Sequence, residues 1–343
     1  MALFIFISGY FYKPEKEDNI MGKEGYLWKK VKRLVIPYFI WNLLYGIIGM
    51  VLRHFGVISF GKDISFTTLF IQPWQDGHQY IFNLASWFLL ALFLVNIVYL
   101  LLRKGMTKAR IWNDTIMLIV LAIFAYFSIE IGKQNTKLEM IPLIRTGFFM
   151  FFYHLGYYYK TKIEGNYKIN TICYLMTLII IQLILIKVDS QISYYPHNMV
   201  FKAKYAIVPF LTNITGILFW LKVTQIVTPL LGTNKIVNVI GNNTYDIMLH
   251  HLFWVFLMNT VIRIGAQILG LQGFDINQYK HTIYYFYTAG VPQVKIVYFI
   301  IALGGPLIAN CGYKKIKKQI KRLGTVKWKK YKYCYLPTME KST

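Results

Sequence analysis

The side chains best suited to acid–base chemistry in this 343-residue sequence cluster in residues 241–253, where Asp246, His250 and His251 interrupt an otherwise apolar stretch. A neutral imidazole with a pKa near 7 takes or gives a proton readily, and a carboxylate four residues earlier on a helix shares its face. Asp246 and His250 have that spacing, while His251 is turned roughly 100° further round. The spacing predicts one imidazole held by the acid and the other, His251, left to titrate or to orient a hydroxyl. Ionisable groups inside a span are expensive and point to function. The competing reading is that both histidines lie near a helix end and are satisfied by headgroups or backbone. Arg145, in the apolar run 141–159, can hold an acidic group or an oxyanion, or can reach out to headgroups. Lys29, Lys32 and Arg33 form a basic cluster that can hold phosphates, Arg33 in bidentate fashion, or can simply fix topology. Cys173, Cys311 and Cys334 have no paired spacing, so neither a disulfide framework nor a metal site is expected.

The elements that must position these groups are membrane helices. A chain that is 56% hydrophobic and only 15% charged exceeds the apolar content of a soluble domain. The net charge of +24 could indicate nucleic acid, but the Lys and Arg fall between apolar runs, the pattern of cytoplasmic loops, so no nucleic-acid partner is expected. Nine apolar segments alternate: 1–12, 34–55, 87–102, 115–132, 141–159, 170–186, 205–227, 245–262 and 294–310. The prediction is an all-α polytopic membrane helix bundle of about nine transmembrane segments, with 56–86 and 263–295 outside. Segment 56–86 carries the turn Pro73-Trp74-Gln75-Asp76-Gly77 and reads as an external loop with a re-entrant or interfacial piece. One membrane domain, 1–313, is followed by a basic cytoplasmic tail, 314–343, whose lysines interleave with Trp328, Tyr331, Tyr333 and Tyr335 and suit anionic headgroups. Segment 1–12 spans only about 18 Å at 1.5 Å per residue, so the chain is expected to begin mid-helix.

Five stretches, in order, resemble the bacterial acyltransferase family 3 of membrane O-acyltransferases. Phe4-Ile5-Phe6-Ile7-Ser8-Gly9-Tyr10-Phe11 is similar to that family's second helix with its Ser-Gly motif, and Arg33-Leu34-Val35-Ile36-Pro37-Tyr38-Phe39-Ile40-Trp41 to the basic loop and helix start that follow. Trp87-Phe88-Leu89 resembles its Trp-Phe-Leu helix, and Phe151-Phe152-Tyr153-His154-Leu155-Gly156-Tyr157 its aromatic-Leu-Gly segment. Asn243-Thr244 through His251 resembles the late Asn-Ser/Thr…His helix, with His251 on the family's His position. The family's first helix, which carries an Arg and the His usually taken as catalytic, has no counterpart here; the complete family fold would have ten spans.

The resemblance implies movement of an acyl group, commonly acetyl, from cytoplasmic acyl-CoA to a hydroxyl of a cell-envelope glycan or its lipid-linked precursor, in the bacterial cell membrane. No bound cofactor is expected; acyl-CoA is a co-substrate, and membrane lipids and the glycan are the partners. His251, with His250 and Asp246, is then the catalytic group, and Arg33, Lys32 and Lys29 hold acyl-CoA. Arg145 meets substrate or oxyanion, while Ser8, Gly9 and Trp87 pack near the site. The competing expectations are a transporter, flippase or polymerase for lipid-linked sugars, or an inactive relic of the enzyme. A transporter should show broken helices in corresponding halves and polar groups at mid-membrane.

Overall fold

The computed structural model describes residues 1–14, 25–134, 137–165, 170–190, 193–195, 198–270 and 272–333. The end of the basic tail, with Cys334 and Tyr335, lies outside the described residues, as do the side chains of Trp328, Tyr331 and Tyr333. The architecture is the expected all-α polytopic one, and the chain forms two compact units, Met1–Asn234 and Lys235–Thr343.

The first unit begins with α1 (Ala2–Tyr10) and a helix made of α2 (Tyr26–Lys30), a π-helical turn (Val31–Val35) and α3 (Ile36–His54). Pro37 falls in the first turn of α3, where its missing N–H removes little. A π turn (Thr67–Ile71), the short α4 (Gln72–Gln75) and a 3₁₀ segment (Ile81–Ser86) then lead into α5 (Trp87–Lys108). α6 (Asp114–Lys133), α7 (Ile141–Tyr158), α8 (Thr171–Val188), a hairpin of β1 (Ser193–Tyr195) and β2 (Val200–Lys202), and α9 (Ile207–Leu231) complete the unit. Asn113 and Asn170 cap α6 and α8, each side chain accepting two backbone N–H groups that would otherwise be orphaned.

Among the described residues, seven helices are long and apolar enough to cross a membrane: Tyr26–His54, Ile81–Lys108, Asp114–Lys133, Thr171–Val188, Ile207–Leu231, Thr244–Ile268 and Val294–Ile316. The other two expected segments are also helical, but α1 is nine residues long and α7 carries Arg145 and His154. Both lie in the core of the first unit. α7 is enclosed by α1, α5 and α6, and Phe148, Phe149, Phe152, Tyr153 and His154 are almost wholly buried. A helix surrounded by protein can carry charged and polar groups that lipid would reject. Close approach of α1 depends on two glycines. A Cβ on Gly9 would lie 1.8 Å from the Tyr153 carbonyl oxygen, and one on Gly156 would lie 2.0 Å from that of Phe6. Small residues that let backbones touch are a main source of cohesion between membrane helices.

Segment 58–86 folds back along α3 instead of leaving the bundle. Phe70 stacks on Phe39 at 5.8 Å, Trp74 lies 6.2 Å from both Phe39 and Phe93, and Gly46 faces the Tyr80 ring. Phe39 is fifteen residues before His54, about 22 Å back along the helix, which makes this segment re-entrant.

The second unit contains α10 (Lys235–Asn242), α11 (Thr244–Leu269), α12 (Ile276–His281) and α13 (Val294–Tyr333). α11 and α13 lie against each other along their apolar lengths, and a Cβ on Gly305 would meet the Trp254 ring at 2.3 Å. Buried Asn259 ties the connection to both helices: its Nδ2 donates to the Tyr285 carbonyl at 2.7 Å, and its Oδ1 accepts from Tyr298 at 2.5 Å.

Candidate functional site

Two polar centres interrupt the apolar core of the first unit, nine residues apart on α7 and so about 13 Å apart along its axis. The first surrounds Arg145, which is 2% exposed and does not reach the surface. Its guanidinium lies over the Trp87 ring, 4.8 Å from the centroid, and its Nη2 donates to the Asp76 carbonyl at 3.4 Å. A desolvated cation over an indole gains on the order of 2 kcal/mol. Trp87 in turn stacks on Phe149. The loop reaches this site through Gly77, whose φ of +75° and approach to Trp87 (a Cβ would lie 2.3 Å from that of Trp87) leave no space for a side chain.

Asp76 orders the loop. Its Oδ1 accepts from the His78 backbone N–H at 3.1 Å and from Gln79 Nε2 at 2.5 Å, while Lys62 Nζ lies 4.0 Å from Oδ2. Asp76 and Arg145 both act electrostatically on the buried Tyr38 phenol. Tyr38 accepts from Asn42 Nδ2 at 3.3 Å, and Asn42 Oδ1 accepts from Asn83 Nδ2 at 3.4 Å. The sequence reading recognised the turn at 73–77 but not this network, whose members come from α3, the re-entrant segment and α7. A lone Asn in an apolar span, as at Asn42, is the one signal that could have pointed to it.

The second centre is His154, fully buried. Its Nε2 lies 2.8 Å from the Asp114 carbonyl oxygen, which can only accept, so Nε2 carries the hydrogen and Nδ1 accepts from the Tyr99 hydroxyl at 2.8 Å. Beside it, Arg103 Nη2 donates to Tyr157 at 3.2 Å, with the guanidinium 4.7 Å from the Tyr157 ring and 4.8 Å from that of Trp112. Asn96 Oδ1 accepts from both Tyr26 and Tyr153 at 3.0 and 3.1 Å, joining α2, α5 and α7. The sequence assigned His154 no role, because its neighbours are distant in the chain.

Of the residues selected from the sequence, the structure brings Arg145 and Trp87 into contact and sets Gly9, next to Ser8, against the α7 backbone. Lys29, Lys32 and Arg33 are exposed near and within the π turn ahead of α3, with Lys32 over the Trp28 ring at 5.3 Å. Asp246, His250 and His251 belong to the second unit, on the first two turns of α11, each half-buried. His251 Nδ1 lies 3.1 and 3.0 Å from the carbonyl oxygens of Ile247 and Met248. It therefore donates to the helix backbone, and the neutral ring keeps its lone pair on Nε2. The Asp246 carboxylate receives Asn310 Nδ2, which also donates to Asn243 Oδ1 at 2.9 Å, and Lys314 Nζ reaches the same Asn243 oxygen at 3.2 Å. The acid thus clasps α13, and the imidazole expected to be free is anchored by its own helix.

An all-α polytopic protein with buried cationic and imidazole groups in its core has the equipment of a membrane enzyme. A family model described as an acyltransferase domain matches residues 1–311, and the chain belongs to that family, acyltransferase family 3. No curated protein and no solved structure matches the chain.

Proposed function

We propose that the protein transfers an acyl group, acetyl by expectation, from acyl-CoA to a hydroxyl of a cell-envelope glycan or its lipid-linked precursor, working in the bacterial cell membrane with its C-terminus in the cytoplasm. The acyltransferase match over nearly the whole chain carries this reading. In the proposed reaction, His251 Nε2 takes the proton of the acceptor hydroxyl as its oxygen attacks the thioester carbonyl. Collapse of the tetrahedral intermediate breaks the C–S bond, and the imidazolium returns its proton to the departing CoA thiolate. The orientation supports this role, since Nδ1 is occupied by backbone carbonyls and Nε2 holds the lone pair. Arg33, with Lys32 and Lys29, would meet the CoA phosphates at the basic end of the first unit. Arg145 would meet substrate or oxyanion. His250 and Asp246 would keep the first turns of α11 in place, Asp246 through its hold on Asn310.

The test is acetyl transfer by the purified chain in phospholipid nanodiscs, supplied with acetyl-CoA and envelope glycan. Release of CoA thiol and formation of an alkali-labile acetyl ester are measured together. His251→Ala is expected to lower the rate by roughly 10²–10⁴-fold, the usual contribution of a general base. Equal ester formation by wild type and His251→Ala would remove the base role from this residue.

A further inference from the structure

The start of α11 departs from the usual way in which a helix begins. Asn243 occupies the N-cap, where an asparagine oxygen ordinarily accepts from the backbone N–H groups two and three residues on, yet its side chain makes no such bond. Asn243 Oδ1 is turned sideways to α13 instead, accepting from Asn310 Nδ2 at 2.9 Å and from Lys314 Nζ at 3.2 Å. Asp246, three residues on, stands where an acid can reach back to close the cap, and it too is diverted, its carboxylate accepting from the same Asn310 amide. Departures from local preference of this kind concentrate at functional sites.

Asn310 is the group to which both are diverted. Its NH₂ has two hydrogens, one for each oxygen, so a single amide ties two points on one face of α11. Asn243 Nδ2 also donates to the Val239 carbonyl of α10 at 2.7 Å, which puts the tie at the corner between α10 and α11. Register brings Asn310 there: Gly305, five residues earlier on α13, lets that helix close on Trp254, where a Cβ would lie 2.3 Å from the ring. Two ties at different heights fix both the height and the rotation of a helix start, which one tie cannot do. The His251 ring follows that rotation. Its Nδ1 donates to the carbonyls of Ile247 and Met248, so the lone pair on Nε2 is aimed by the backbone of these same first turns.

We propose that Asn310 is the positioning residue of the α11 site: by holding Asn243 and Asp246 together it sets the rotation of the first turns of α11 and so the direction of His251 Nε2. Its consequence for catalysis rests on the reading of His251 as the base, whereas the link from Asn310 to the imidazole does not. Proton transfer is sensitive to such aim, because a misplacement of about 1 Å costs on the order of 10²-fold in rate.

Two measurements on the purified chain in nanodiscs test this. In ¹⁵N spectra of its histidines, with His251 identified by the signal lost in His251→Gln, the wild type should show one neutral tautomer with the hydrogen on Nδ1, and Asn310→Ala should shift or broaden that signal. In the acyl-transfer assay, Asn310→Ala and Asn310→Asp should lower kcat by about tenfold or more and leave the KM of acyl-CoA and of the acceptor unchanged. Asn310→Asp sets two carboxylates against each other. Adding Asp246→Asn moves the acid across the pair, one turn from Lys314, and should restore much of kcat together with the imidazole signal. An unchanged His251 signal in Asn310→Ala overturns the proposal. So does a loss of kcat that follows the melting temperature through the series without rescue by the double variant, which would show that Asn310 serves only the fold. A His251 signal that responds to Asn310→Ala in a chain whose wild type transfers no acyl group would sink the enzymatic reading and leave the positioning role standing.

Discussion

His154 shows how one buried side chain can be decided by its partners. With Nε2 donating to the Asp114 carbonyl and Nδ1 accepting from Tyr99, both ring nitrogens are used inside the core. Removing one side of such a pair leaves the other unmatched, at about 1–3 kcal/mol, whereas removing both is close to neutral. His154→Phe should therefore lower the melting temperature, and the double variant His154→Phe with Tyr99→Phe should recover much of the loss. Thermal unfolding of the wild type, both singles and the double closes this cycle. Additive losses would mean that the two groups do not interact. His251 is placed differently, on the first turns of a half-buried helix with Nδ1 donating to backbone carbonyls, which leaves the lone pair on Nε2.

At the scale of elements, α7 is the part on which the first unit is assembled. It can hold Arg145 and His154 because α1 seals one of its faces, and α1 can do so because Gly9 and Gly156 bring the two backbones together. Gly156→Leu should cost at least the roughly 1–3 kcal/mol of ordinary overpacking, since the obstructing atom is the rigid Phe6 carbonyl oxygen. Gly216→Ala on α9, where a Cβ meets nothing within 4 Å, should be neutral or slightly stabilising. Melting temperatures in one detergent compare the pair directly; equal shifts would show that α1 does not need this close approach. α13 makes a different use of length. Its 40 residues extend about 60 Å, twice a bilayer core, and only Val294–Ile316 is apolar enough to cross.

For the whole molecule, the proposed orientation puts the basic helix ends in the cytoplasm. In a background with Cys173, Cys311 and Cys334 replaced by serine, single cysteines report the side on which each position lies. Lys137→Cys and Asn277→Cys should react with an impermeant maleimide on intact cells. Lys108→Cys and Lys315→Cys should react only after permeabilisation. Labelling of Lys108→Cys in intact cells would invert the first unit, because the charge bias predicts that end to be inside.

The class of this protein was legible without coordinates. Runs of apolar residues long enough for a bilayer, separated by lysine and arginine, leave helix as the one way to satisfy the backbone, and local motifs such as Ser8-Gly9, Trp87-Phe88-Leu89 and Asn243-Thr244 through His251 led to the family. Periodicity also placed Asp246, His250 and His251 on adjoining faces of one helix. It could not show that Asp246 would be taken by Asn310, 64 positions away, or that Arg145 would turn inward onto Trp87 instead of outward to headgroups. Nor could it show that the re-entrant piece suggested within 56–86 would bring Asn83 to Asn42, which in turn donates to Tyr38. The first of these depends on how α11 meets α13, and the others on which helices enclose α7. Enclosure replaces lipid with protein dipoles around a buried polar group, and that exchange is settled by residues brought together from far apart in the chain rather than by its neighbours in sequence.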